Sequence, residues 1–237
     1  MTREIPEISI IAPARRPSHW MNVYNNIGHN DVTFEMIFVG PNEPNFELPH
    51  NFIFIKTNVK PAQCYEIAAR KARGNLLLNF GDDIFFNIKS PLDKLYNEYR
   101  TYNDEKIIMS SIDHYPAYHH YFQSDPSSPI LASASLISRK LYMNIGGIDR
   151  NFIAVYGESD VVMRIYALGG RVILSKAVYI EERHEGEHLC GVFPDRQYLD
   201  SLWVVNGRAQ FNRAKPVEPF SDDRILEESQ GPKGKWV

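Results

Sequence analysis

Short apolar runs at Ile8 to Ala12, Phe34 to Val39, Phe52 to Ile55 and Leu76 to Phe80 punctuate the first third of the chain. They are rich in Ile, Val, Leu and Phe, the pattern of strands buried on both faces of a parallel sheet. Between the first two lies PSHWMNVYNNIG, in which Trp20, Val23, Tyr24 and Ile27 fall at helical spacing, Pro17 opens the helix and Gly28 closes it. The segment PAQCYEIAARKARG repeats that grammar: Pro61 stands near the start, Cys64, Ile67, Ala68 and Ala72 share a face, and Gly74 is the stop. The predicted order is therefore strand, helix, strand, strand, helix, strand, with the last strand running into Gly81-Asp82-Asp83.

Past that point the pattern loosens. SPLDKLYNEYRTY reads as a helix, KIIMSSI and ILASASLI as strands, and SRKLYMNIGG as a short helix closed by glycines. ESDVVMRIYALGG follows as a helix burying Val161, Val162, Ile165 and Leu168, and RVILS and AVYIE read as two more strands. There is no internal repeat. From about Pro216 the chain is polar and broken by prolines and glycines, which predicts a mobile tail or a segment that orders on binding. The whole reads as an α/β protein with a mainly parallel central sheet and a mixed C-terminal half.

The chain has 237 residues, about what a single hydrophobic core supports, so one domain is expected. Apolar residues at 43% exclude wholesale disorder. With 26 basic against 29 acidic residues and no polybasic run, nothing grips a nucleic-acid backbone, so no nucleic-acid partner is expected. Two cysteines, Cys64 and Cys190, are too few for a disulfide scaffold and fit a reducing compartment. The apolar patch near the N-terminus is too short for a signal-peptide core, and no stretch approaches the roughly 20 apolar residues of a membrane span. The expected location is cytoplasmic, with peripheral membrane association left open.

The sharpest chemical feature is Gly81-Asp82-Asp83 at the end of a buried strand, because open α/β sheets bind ligands at the carboxyl ends of their strands. Two carboxylates there suit Mg²⁺ or Mn²⁺ held against a diphosphate; the competing reading is a solvated Asp turn. A second cluster, Gly157-Glu158-Ser159-Asp160, opens a helix, where acids serve as caps as readily as they serve catalysis. Upstream, Gly146-Gly147-Ile148-Asp149 forms a loop whose glycines allow a sharp turn toward a pocket. His184-Glu185-Gly186-Glu187-His188 spells a zinc-protease motif, but it follows a strand and has glycine at its centre, whereas that motif requires a helix. The GDD sequence also imitates a polymerase hairpin, which a chain of this size and charge does not accommodate. DHYPAYHHYFQSD gathers Tyr118, His119 and further aromatics that fit either a sugar-stacking platform or a core.

Taken together, ISIIAPARRP, FEMIFVGPNEP, LLLNFGDDIFF and GGIDRNFIAVYGESDVVMRIYALGGRVIL resemble the GT-A nucleotide-sugar glycosyltransferases, especially glycosyltransferase family 2, over roughly residues 7 to 185. The resemblance implies a single GT-A-like (Rossmann-like) domain over residues 1–215. Residues 1–112 would form the nucleotide-sugar half, 113–215 the acceptor half, and 216–237 a polar tail. It implies that Asp82 faces the donor ribose, that Asp83 binds Mn²⁺ or Mg²⁺, and that His184 or His188 completes the metal site. Pro13, Ala14, Arg15 and Arg16 would border the nucleotide. Glu158 would be the base that deprotonates the acceptor hydroxyl, with Asp160 as the alternative, and Tyr118, His119, Gly147 and Asp149 would line the acceptor side.

The sequence departs from the family's pattern at three places. The first acid of the Asp-x-Asp element is Gly81. The acid that ends the second strand and reads the base is Gly40, which leaves the base open although a UDP-sugar is the favoured donor. The Ala-Arg-Asn stretch of the helix after the third strand is Cys64-Tyr65-Glu66, so a cation for the diphosphate would come from Arg70, Arg73 or the Arg15/Arg16 pair. The implied activity is metal-dependent, inverting transfer of a sugar to a hydroxyl of a glycan or glycoconjugate. The alternatives are an inactive GT-A-like module that binds a glycan or protein, and a nucleotidyltransferase on a related sheet.

Overall fold

The computed structural model describes residues 5–115, 118–120, 132, 134–183 and 192–227. The first half runs β1 (Ile8–Pro13), α1 (Pro17–Ile27), β2 (Phe34–Gly40), β3 (Phe52–Lys56), α2 (Pro61–Lys71) and β4 (Leu76–Asn79). Then come β5 (Ile84–Phe86), α3 (Pro91–Arg100), β6 (Ile107–Tyr115), β7 (Tyr118–His120), β8 (Ser135–Ser138) and α4 (Arg139–Asn144). The last elements are α5 (Gly157–Ala167), β9 (Arg171–Glu182), α6 (Val192–Trp203), β10 (Val204–Val205) and β11 (Arg208–Ala209). Helices α1, α2 and α3 each carry proline in the first turn, where the missing N–H has no helical partner to lose.

One sheet runs through the molecule in the order β3-β2-β1-β4-β8-β6-β9-β5, with β7 also paired to β6. Strands β3, β2, β1 and β4 are mutually parallel; beyond them β8 is antiparallel to both β4 and β6, and β9 is parallel to β6. The apolar runs are continuous because both faces are covered. Ile8, Ile10 and Ala12 point to the side where Trp20, Val23 and Ile27 of α1 lie, whereas Ile11 points to the side of Ile67 and Ala68 of α2. Trp20 is fully buried, with ring centroids 4.9 Å from Phe54 and 5.6 Å from Phe38.

The second half differs from the pattern in four respects. RVILS and AVYIE form one strand, β9, whose pairing with β6 shifts register between Ser110 and Ile112. At its middle the Ser175 hydroxyl bonds Glu98 at 2.7 Å and accepts the Val178 amide at 3.1 Å, so the irregularity is satisfied without a turn. IFF, for which the pattern named no element, forms β5 and pairs antiparallel with β9 at the far edge of the sheet. Helix α6 and the β10–β11 hairpin lie in a stretch for which the pattern named no element.

The fourth difference is the segment 216–227, which composition reads as a mobile tail. It is laid against α2: Phe220 is 3% exposed, Arg70 donates to its carbonyl at 3.0 Å, and Thr57 donates to the Leu226 carbonyl at 3.2 Å. Its polar composition conceals this because its own carbonyls and one phenyl ring make the contacts. No helix among the described residues is long and apolar enough to cross a membrane.

Candidate active site

The carboxyl ends of β1 and β4 lie side by side, with the Phe80 amide donating to the Ile11 carbonyl at 2.9 Å. This brings the loop after β1 over Asp82. One Asp82 oxygen accepts the amides of Arg15 and Arg16, both at 2.8 Å, and the other accepts Arg16 Nε at 3.0 Å. The same guanidinium reaches Asp83 with Nη2 2.8 Å from Oδ2. Burial of Arg16 by itself lowers its pKa, but the two carboxylates outweigh it and hold the group above its ordinary value. Pro13 ends β1, and the Ala14 amide donates to Val39 at 2.8 Å. A Cβ on Gly40 would stand 1.7 Å from the Ala14 carbonyl oxygen, so an acid is excluded there by the close approach of the two backbones.

Tyr65, on the face of α2 toward this edge, donates its hydroxyl to the Phe80 carbonyl at 2.8 Å. It also lies within electrostatic reach of Glu158, Asp83 and Glu182. Burial and these carboxylates push the phenol well above its ordinary pKa, since ionisation would add another anion to the cluster. Glu158 itself is raised by desolvation, with its own backbone amide and Tyr65 pulling the other way. Asp83 and Glu158 are therefore both near one tyrosine, in the Cys64-Tyr65-Glu66 stretch of α2.

The segment that presents Glu158 is fixed by buried charge. Asp195 of α6 accepts the amides of Ile153, Ala154 and Val155 at 2.8 to 3.0 Å. This steadies a turn in which Tyr156 has φ 62°, a left-handed conformation that costs a non-glycine residue roughly 1–2 kcal/mol. Asp160 is fully buried; its carboxylate accepts Trp203 Nε1 at 2.8 Å and Arg213 Nε at 2.9 Å, and Arg164 Nη2 is 3.0 Å away. Asp149 is equally buried and takes Arg213 Nη2 at 2.6 Å and the Asn151 amide at 2.9 Å. Arg164 donates to the carbonyls of Ile145 and Gly147, and Gly147, at φ 64°, leaves no room for a side chain against Glu66. Glu66 accepts Tyr142 Oη and the Ile148 amide, and desolvation raises its pKa.

The structure thus joins Pro13, Ala14, Arg15, Arg16, Gly40, Asp82 and Asp83 at one edge, and Tyr65 lies within electrostatic reach of both Asp83 and Glu158. Asp149, Gly147 and Asp160 form a buried support behind the turn rather than an exposed wall. Tyr118 and His119 lie in β7, whose backbone pairs with Tyr115 and His114. His184 and His188 lie outside the described residues; the residue before them, Arg183, has its amide donating to the Asp83 carbonyl at 2.8 Å. Sequence reasoning missed Glu66, Asp195, Trp203 and Arg213. Only Glu66 carried a signal, a charge inside an otherwise apolar helix. A separate cleft of about 530 Å³, between the end of α1 and the β5–α3 loop, contains none of these acids.

No family model matches the chain, and no curated protein matches it in sequence. Solved structures do. GalNAc-T7 with UDP, GalNAc and Mn²⁺ superposes with a TM-score of 0.62 at 12% identity, over 86% of this chain and 49% of that one. A Pyrobaculum calidifontis mannosyltransferase with GDP-Man and Mn²⁺ gives 0.56 at 15% identity, over 76% and 57%. S. aureus TarS 1-349 with UDP-GlcNAc gives 0.53 at 15% identity, over 77% and 60%. The fold is GT-A-like. The chain spans about half to three-fifths of the lengths of these proteins. In a GT-A-like domain the mixed half that appeared irregular in sequence continues the same sheet, with β6 crossing the expected division at residue 112.

Proposed function

We propose that this protein transfers a glycosyl group from a nucleotide-sugar donor to a hydroxyl acceptor with inversion. The observation that carries the reading is the placement of Asp82 and Asp83 at the carboxyl edge of the parallel strands, with both Asp83 and Glu158 within electrostatic reach of Tyr65. Glu158 accepts the acceptor proton as its oxygen attacks the anomeric carbon, while the nucleoside diphosphate departs on the side of Asp83. A desolvated carboxylate is suited to this, because its raised pKa strengthens it as a base. The Asp149–Asp160–Arg164–Arg213 group acts behind it as a positioning frame, since Asp149, Asp160 and Arg164 are buried, Arg213 pairs with both acids and Arg164 with Asp160.

Among the described residues no three metal-ligating side chains gather. The donor set nevertheless fits a divalent cation that arrives with phosphate oxygens, since such ions take one or two protein carboxylates and keep other ligands from substrate and water. Asp83, Glu158 and Glu182 all lie within electrostatic reach of Tyr65, and Arg16 is shared between Asp82 and Asp83, so the cleft is short of positive charge for a diphosphate. Mg²⁺ or Mn²⁺, held by Asp83, would supply that charge and stabilise the leaving group. A UDP-sugar is the favoured donor.

The test is calorimetric titration of UDP and GDP with Mn²⁺, paired with a transfer assay, on wild type, Asp83→Asn and Glu158→Gln. Asp83→Asn is expected to weaken Mn²⁺-dependent binding. Glu158→Gln is expected to keep donor affinity and lose about 10² to 10⁴ in rate. Loss of affinity with unchanged rate in Glu158→Gln would remove the base from this residue.

A further inference from the structure

We propose that the C-terminal strap, residues 213–227, is part of the donor site, with Leu226 walling the space where the nucleoside of a nucleoside diphosphate lies. The inference rests on the glycosyl-transfer reading above.

The strap is tied down along its length. Arg213 bridges Asp149 and Asp160, the Arg150 amide donates to Glu218 at 2.8 Å, and the Glu218 amide donates to Asp149 at 3.2 Å. Phe220 is buried beside the ammonium of Lys60, 5.6 Å from its ring centre, and Arg70 holds both the Phe220 carbonyl and Asp222. At its far end Gln63 donates to the Ile225 carbonyl and Thr57 to that of Leu226.

Thr57 is what makes this end part of the site. It follows β3, and its amide donates to the Gly40 carbonyl at the end of β2 at 2.8 Å. Gly40 is packed on Ala14, Asn42 donates to the Arg15 carbonyl at 2.6 Å, and the Arg15 amide donates to Asp82 at 2.8 Å. Leu226 and Asp82 are thereby the two ends of one continuous rim along the carboxyl ends of β3, β2, β1 and β4. The reacting end of the ligand is fixed by Glu158 of α5, which packs over β6 and β9 on the far side of β4. A ligand whose diphosphate lies at Asp83 and whose sugar points to Glu158 must extend its nucleoside the other way, toward β2 and β3. There Gly40 offers no side chain, and Leu226 is 52% exposed, an apolar surface that no described residue covers fully. An aromatic base or ribose face would cover it.

The experiment compares the full chain, a chain ending at Arg224, and the point variants Leu226→Ser and Thr57→Val. Each is titrated with UDP, GDP, ADP, CDP and TDP in the presence of Mn²⁺, and with Mn²⁺ and inorganic pyrophosphate as the nucleoside-free control; thermal melts confirm folding. The nucleoside diphosphate that binds the full chain is expected to lose about tenfold in affinity in the shortened chain and severalfold in the point variants, as the loss of one apolar contact surface predicts. Pyrophosphate affinity should not move. Unchanged nucleoside diphosphate affinity in the shortened chain and in Leu226→Ser, or an equal loss for pyrophosphate, overturns the inference and leaves the transferase reading standing. A full chain that binds none of the five nucleoside diphosphates overturns both.

Discussion

Around Trp20 the neighbours are Phe38, Phe52 and Phe54, and around Asp160 they are Arg164, Trp203 and Arg213. Both centres are fully buried, yet the first is apolar and draws on α1, β2 and β3, which lie close together in sequence, whereas the second is ionic and joins residues 53 apart. Apolar burial is non-directional, so the parallel half needs only the right pattern and volume. A buried ion group is directional: each charge is costly without its partner, and the geometry of the pair fixes the backbone that carries it. The half that holds Asp82 and Asp83 is built by packing, and the turn before Glu158 is built by charge.

The strongest way to break that contrast is Arg213→Met. It leaves Asp149 and Asp160 buried with one guanidinium for two carboxylates, and is expected to cost about 3–5 kcal/mol in urea unfolding. Loss of transfer activity should accompany it under conditions where the protein remains folded, because the turn before α5 loses its support. A cost below about 1 kcal/mol would show that Arg164 and Trp203 suffice.

Trp20→Phe addresses the packed half and is expected to cost about 1–2 kcal/mol. The indole N–H of Trp20 has no acceptor among the described residues, so removing it relieves a buried polar group while the lost ring volume leaves a small cavity. Calorimetric melting measures it, and donor affinity should be unaffected. A larger loss than that of Arg213→Met would reverse the comparison.

The smallest effect sharpens it. Desolvation raises the Glu66 pKa above its ordinary 4.5, so the stability associated with its protonated form is fully present below about that pH and is lost as pH rises through the folded value. Glu66→Gln removes this titration. The melting temperature of wild type minus that of the variant should therefore drift downward between pH 4 and 7. A flat difference would show that Tyr142 and the Ile148 amide hold the carboxylate at its unperturbed pKa.

The elements most legible in the sequence were those whose partners are near and apolar. β1 to β4 and α1 to α3 follow from runs, helical spacing and proline starts, and Asp82 and Asp83 were found because a buried strand points at them. β9 was read as two strands because a Ser-Lys pair in a buried run imitates a break, while the structure bridges it with the Ser175 hydroxyl. Residues 216–227 were read as a tail because their contacts are made by backbone carbonyls, which every sequence has.

What the sequence alone determined is the α/β order, the parallel core and the strand end that carries the acids, since local periodicity and burial on both faces leave a narrow set of folds. Tertiary structure alone decided that Asp160 is a buried support while Glu158 meets Tyr65, and that Arg213, 64 residues beyond Asp149, closes the ion group. Side-chain charges act over a few ångströms in space with no period along the chain, so residues that neutralise one another leave no pattern in sequence until the backbone brings them together.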